Sequence, residues 1–140
     1  MEDDWLDGSL APIWQQFWPK RYDDDDIRRA FDRLDGVVRR YANENEPISL
    51  LVDISRAKVG TPVQRKRISQ TFRRTQAIAS HVVVCQAFVV RTRVQRGALT
   101  ATLWLFDPGW ELRVFETMGE AIDWAKEMHA DFKPRLPPRP

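Results

Sequence analysis

The chain has 140 residues, 43% of them hydrophobic and 30% charged, with a net charge of +2 and a single cysteine. This is the length and balance of one globular domain. No window approaches the roughly 20 apolar residues of a membrane span, the opening MEDDWLDG is acidic where a signal peptide is basic, and Cys85 alone makes no internal disulfide. A cytoplasmic protein with a buried, inert thiol is the expectation.

The small net charge conceals a segregation. Residues 1–53 carry 13 acidic and 7 basic side chains, residues 54–106 carry 10 basic and no acidic ones, and residues 107–140 carry 7 acidic and 5 basic. Asymmetry of this kind points to an anionic partner or a charged contact surface.

In chain order, residues 1–10 offer few core candidates beyond Trp5 and Leu6 and read as a loose acidic leader. Residues 11–130 read as a single α/β domain. Between Pro12 and Pro19, IWQQFW predicts a first strand, which the flanking prolines place at the sheet edge. Ile27, Ala30, Phe31, Leu34, Val37, Val38 and Tyr41 recur at three- and four-residue spacing, the stripe of an amphipathic helix. The run Asp23–Asp26 caps its start and opposes the positive end of the dipole. Calcium needs a chelating loop instead. Asp24 with Arg28, Asp25 with Arg29 and Asp35 with Arg39 are spaced for ion pairs along this helix.

The next stretch organises the domain. Ile48–Ser55, ISLLVDIS, is short and almost wholly apolar, the pattern of a central strand covered on both faces. Asp53 and Ser55 fall at its carboxyl end, the edge where open α/β sheets receive ligands and partners. Thr61-Pro62-Val63-Gln64 is a capping box with proline at the first helical position. The helix behind it runs to about Ala79, with Ile68, Phe72, Thr75 and Ala79 inward and Arg65, Lys66, Arg67, Arg73 and Arg74 on other faces. His81–Val90 predicts a second buried strand. Arg91–Arg96 leads into a third helix, GALTATLWLF, with Val94, Ala98, Ala101 and Leu105 on one face and Gly97 allowing close packing. Asp107-Pro108-Gly109 is a turn, Trp110–Phe115 a half-exposed strand, and Thr117-Met118-Gly119-Glu120 a further capping box. That box opens a helix with Ala121, Ile122, Ala125 and Met128 inward. Residues 131–140 form a proline-rich, polyproline-like tail. Pro134 and Pro137 with Arg139 have a spacing that aromatic peptide grooves accept, although so short a match arises readily by chance. The alternation predicts one four-stranded, mostly parallel sheet flanked by helices.

This order, with LLVDIS feeding a helix opened by Gly60-Thr61-Pro62, resembles the STAS family, the anti-sigma-factor antagonist-like (SpoIIAA-like) domains. RGALTATLWL and FETMGEAIDWA are similar to the small bacterial STAS/SEC14-type proteins, in which Arg-Gly opens a helix and an E-A-x-x-W helix closes the domain. The resemblance covers about Ile13 to Met128. It implies a four-stranded sheet flanked by helices, and regulation through a signalling or kinase-like protein partner. Such antagonists are phosphorylated on a hydroxyl at the start of the helix after the central strand, in an Asp-Ser-Ser-Gly or similar motif. Here that place holds Val59-Gly60-Thr61-Pro62, with Thr61 the nearest hydroxyl, Ser55 the next, and the Asp-Ser pair missing. A phosphate on Thr61 would sit at a helix N-terminus beside Arg65, Lys66 and Arg67; a plain N-cap also accounts for this residue. The SEC14 side of the resemblance implies, as the alternative, a carrier of a small anionic or lipid-like ligand with an apolar cavity under the last helices.

The remaining chemistry argues against catalysis and against a cofactor. Cys85 lies inside an apolar strand, His81 at its start, and His129 near the end of the last helix, where a cation suits the dipole. Neither histidine has a partner at zinc-ligand spacing, no glycine-rich phosphate loop is present, and Asp53 is placed to cap the turn that follows it. Arg56, Lys58, Arg65, Lys66, Arg67, Arg73, Arg74, Arg91, Arg93 and Arg96 are expected to form one surface, because strand ends and flanking helices converge at the carboxyl edge of such a sheet. Nucleic acid is disfavoured there, because no recognition helix and no interleaved exposed aromatics accompany them. The plainer expectation is that the basic second helix pairs with the acidic first helix. Trp104 and Trp124 read as core. Trp14, Trp18 and Trp110 fall in strands at the sheet edges, the place for an interface with a second copy or a standing partner. The expected contact surface is Arg56, Lys58, Arg65, Lys66, Arg67 and Arg96, with Asp53, Ser55 and Thr61 beside them.

Overall fold

The computed structural model describes residues 5–104 and 109–133. Strands β1 (Leu6–Asp7), β2 (Ile13–Phe17), β3 (Ile48–Asp53), β4 (Val83–Val89) and β5 (Glu111–Phe115) form one sheet in the order β1-β2-β3-β4-β5. β2 to β5 are parallel neighbours, and β1 pairs antiparallel with β2. Helices α1 (Asp24–Glu44), α2 (Pro62–Ala79) and α3 (Arg93–Leu103) connect successive parallel strands, and α4 (Met118–Ala130) follows β5. The four expected strands are β2 to β5. The fifth comes from the leader, where Leu6 and Asp7 pair with Gln16 and Gln15 and the Trp5 ring lies 4.9 Å from that of Trp18. Partial burial of Trp5 and Leu6 against the core holds these residues to the domain, and β2 therefore is not the outermost strand.

The apolar run of β3 is explained by what covers it. Leu50 and Val52 face Phe31 of α1, Phe72 of α2 and Leu99 of α3. Leu51 faces the opposite way, toward Ala121, Trp124 and Ala125 of α4. Alternate side chains thus both meet helices, as in sheets buried on both faces. Ile48 pairs with Val83 but Ser49 with Cys85, so Val84 is an extra residue and joins Cys85 on the α4 side. Burial pushes the Cys85 thiol up to about 11, and its sulfur lies 3.3 Å from Ser49 Oγ. The thiolate is the reactive form, so iodoacetamide at neutral pH is expected to label the protein only in denaturant. Mass spectrometry of the native protein should find Cys85 unmodified.

The starts of α1 and α2 follow the sequence closely, whereas α3 begins at Arg93, before the expected Gly97, and Thr117 caps α4 by accepting the Glu120 N–H without the reciprocal bond of a capping box. Asp23 accepts from the Asp26 N–H at 2.8 Å while Asp26 accepts from the Asp23 N–H at 3.0 Å, which makes the acidic run a reciprocal cap. Arg28 pairs with Asp25 and Arg29 with Asp26 at three-residue spacing, and Arg39 with Asp35 at four. The expected Asp24–Arg28 and Asp25–Arg29 pairs are displaced because Asp24 turns to α2, where it meets Arg67 at 3.2 Å and Gln64 at 3.0 Å. α1 ends on Asn45 in the left-handed conformation, φ 53°, shortly before Pro47.

The third helix departs from expectation. Its inward residues are Gln95, Leu99 and Thr102, whereas Val94 is 69% exposed and Ala101 is also exposed. Trp104, expected in the core, is 84% exposed. Trp18, Trp110 and Trp124 are buried. Trp14 is half-buried and donates to Tyr41 Oη at 3.0 Å. The strand tryptophans therefore pack inward instead of presenting an edge interface. Leu105, Asp107, Pro108 and the tail from Pro134 lie outside the described residues.

His129 also differs. It lies in the last turn of α4, but it is half-buried, its Nε2 has no hydrogen-bond partner, and burial holds its pKa below the ordinary value. Desolvation outweighs the helix dipole here. The unfolded chain, titrating near pH 6.5, takes up a proton that the folded chain resists. Stability present above that pH is therefore lost as the pH falls below it. His129→Gln is expected to flatten this stretch of the curve in urea midpoints taken between about pH 5 and 7.

Among the described residues no helix is long and apolar enough to cross a membrane.

Candidate functional site

Parallel pairing brings the carboxyl ends of β2, β3 and β4 to the same edge as the amino ends of α1, α2 and α3. This is the edge at which open α/β sheets bind, and the residues expected to form a contact surface meet there. Asp53 closes β3 half-buried, and its Oδ1 accepts the Ser55 N–H at 2.9 Å. The carboxylate shapes the turn. Ser55 is half-buried beside it, while Arg56 and Lys58 of the following loop are exposed. Tyr22 donates to the Lys58 carbonyl at 2.7 Å, which ties this loop to the start of α1.

Thr61 is exposed at the N-cap of α2. Its Oγ1 accepts from the Gln64 N–H at 3.1 Å, and its own N–H donates to Gln64 Oε1 at 3.0 Å. Arg65 folds back to donate to the Gly60 carbonyl, and Lys66 is exposed. Arg67 turns away to Asp24, so the acidic first helix takes up one of the basic residues of α2. Arg91, Arg93 and Arg96 stand exposed at the start of α3. Arg56, Lys58, Lys66, Arg91, Arg93 and Arg96 have no acidic partner among the described residues. Neither α2 nor α3 has an acidic residue in its first turn, so two positive helix ends add to these cations. Val63, 61% exposed, and Val94, 69% exposed, sit among them at the two helix starts. A further cleft of about 350 Å³ runs between α2 and α3, with Arg65, Lys66 and Arg73 on its wall.

Gln95 is the organiser that composition does not reveal. It caps α3 reciprocally with Thr92, and its Oε1 also accepts the Arg91 N–H at 2.7 Å. Its Nε2 donates to the carbonyls of Ile54, Ser55 and Ala57 at 3.0, 3.0 and 3.1 Å. One buried amide thus fixes the β3–α2 loop against α3 and sets where Arg56 and Lys58 stand. The signal was present as Thr92-x-x-Gln95, a capping box one turn before Gly97.

Behind the edge lies a cavity of about 80 Å³ between the sheet and α1–α3. Trp18, Phe31, Phe72, Phe88 and Leu99 line it, together with the polar Tyr22, Arg65 and Thr102. Lys58 and Val59 are the exposed members of the lining, which places its mouth at the β3–α2 loop.

No family model, curated protein or solved structure matches the chain. What fold and site define together is an α/β sheet with one electropositive, partly apolar edge.

Proposed function

We propose that the protein is a non-enzymatic interaction module of the STAS type that receives an acidic segment of a partner protein on this edge. The observation that carries the reading is the set of six exposed cations without acidic partners among the described residues, interleaved with Val63 and Val94. Exposed apolar side chains within a charged field suit a protein contact, where a desolvated centre is ringed by charge. A phosphate on Thr61 would act as the switch. It would add negative charge at the positive end of α2, next to Arg65 and Lys66, and compete with an acidic partner for the same surface.

The test is affinity capture by wild type, by Arg91→Glu/Arg93→Glu/Arg96→Glu and by Thr61→Glu, each at low and at raised salt. A protein retained by wild type, lost by the triple variant and weakened by Thr61→Glu is expected. Retention by all three would remove the edge from the reading. Recovery of nucleic acid, with affinity falling steeply with salt, would replace the protein partner with an RNA or DNA.

A further inference from the structure

The cavity beneath α1–α3 and the cleft between α2 and α3 adjoin each other, since Arg65 and Thr102 belong to both walls. Their linings divide the chemistry. Phe31, Leu34, Phe72, Phe88 and Leu99, all buried, surround the inner hollow. The outer one carries Arg65, Lys66 and Arg73. Among the described residues, neither wall contains an aspartate or a glutamate.

Several polar groups of the inner wall are committed to main chain. Tyr22 Oη donates to the Lys58 carbonyl at 2.7 Å, Thr102 Oγ1 to the Ala98 carbonyl at 2.9 Å, and Gln95 Nε2 to the carbonyls of Ile54, Ser55 and Ala57. Two cations of that wall are not neutralised. Lys58 is exposed at the mouth, Arg65 is half-buried, and neither has an acidic partner among the described residues. Arg65 directs Nη1 to the Gly60 carbonyl, and its guanidinium keeps further N–H donors for a second acceptor. A charge beside an apolar wall is costly without a counter-charge, so these residues favour an anion at the mouth.

Size limits what lies behind it. An engineered cavity of about 150 Å³ accommodates benzene, so the space of about 80 Å³ here takes a tail of roughly three or four carbons. The cleft of about 350 Å³ leaves ample room for a head group.

We propose that the two hollows form one binding site for a short-chain alkyl phosphate. The tail packs against the Phe72 and Phe88 rings. The phosphate meets Arg65, with Lys58 from the cavity side and Lys66 from the cleft side. Phosphate suits this set better than carboxylate, because it brings a second negative charge and a third terminal oxygen to several cations, and arginine grips it with paired N–H groups. The site shares Lys58, Arg65 and Lys66 with the basic edge but does not rest on the protein partner proposed for that edge.

The probe is isobutyl phosphate, titrated into the full chain and followed at the Gly60 and Leu99 amides in ¹H–¹⁵N spectra. Saturable shifts at both amides are expected. Inorganic phosphate, which has no tail, and isobutanol, which has no charge, should each bind at least about tenfold more weakly. Isovalerate, with one charge, should bind about threefold more weakly. Arg65→Gln should lower the isobutyl phosphate affinity about tenfold and leave isobutanol binding as in wild type. Lys58→Gln, a change at an exposed loop residue that spares the fold, should lower it about threefold. Ala98→Leu, which narrows the cavity from α3, should reduce isobutyl phosphate to the affinity of inorganic phosphate. Equal affinities for isobutyl and inorganic phosphate in wild type would overturn the proposal, leaving a surface anion contact only. Isovalerate binding as tightly as isobutyl phosphate would overturn the phosphate assignment. Unchanged isobutyl phosphate affinity in Lys58→Gln and Arg65→Gln would overturn the placement of the head.

Discussion

Phe72→Ala is expected to lower the free energy of unfolding by about 3–5 kcal/mol, the cost of emptying a large aromatic site in a core. Phe72 is 6% exposed and stands between Phe31 of α1 and Phe88 of β4, with ring centroids 6.4 and 5.9 Å away in edge-on geometry. It is the middle of an aromatic series that continues through Phe31 to Trp18 at 6.1 Å and on to Trp5 at 4.9 Å. Two helices, the sheet and the leader therefore share its packing. The ring also bounds the existing cavity, so truncation enlarges a void that the backbone has not closed. Urea unfolding should show a lower midpoint with an unchanged slope. Val63→Ala on the same helix, at an exposed site, should change stability by no more than about 0.5 kcal/mol. A loss below about 1 kcal/mol for Phe72→Ala would mean that the face under α1–α3 collapses freely and is not packed as described.

The elements that sequence makes legible are those whose local chemistry and burial agree. ISLLVDIS is apolar on both faces because helices cover both faces, and its strand could be placed from composition alone. Asp23 with Asp26 and Thr61 with Gln64 form the reciprocal caps their spacing announces. α3 shows the opposite case. Its small and aliphatic residues Val94, Ala98 and Ala101 suggest an inward face, yet the helix buries Gln95 and Thr102. Both polar side chains are satisfied, Thr102 by the Ala98 carbonyl at 2.9 Å and Gln95 by a whole set of main-chain groups. Hydropathy ranks such residues outward because it cannot anticipate their partners. The basic edge was legible, since parallel topology collects strand ends and helix starts from distant segments. The cavity was not. Its wall is assembled from β2, β3, β4 and three helices.

Gln95→Glu provides the sharpest test of how the edge is built. If Gln95 were only a helix cap, glutamate would serve equally, since a capping box accepts either residue. The Nε2 donations to Ile54, Ser55 and Ala57 make the difference. Glutamate retains an acceptor for the Arg91 and Thr92 N–H groups but sets carboxylate oxygen against three carbonyl oxygens, in a site where the residue is 8% exposed. Losing several hydrogen bonds and leaving buried acceptors unmet is expected to cost about 3 kcal/mol or more. Gln95→Ala, which removes both ends of the bridge without adding repulsion, should cost about 2–4 kcal/mol. Hydrogen exchange separates the two roles. The Arg91 and Thr92 amides should stay protected in the glutamate variant and lose protection in the alanine variant. The Ala57 N–H, bonded to the Ile54 carbonyl at 3.0 Å, should exchange faster in both as the loop detaches from α3. With that loop released from Gln95, Arg56 and Lys58 lose their fixed places at the edge. Any partner of the edge should then dissociate faster from either variant, although no contact residue has been changed.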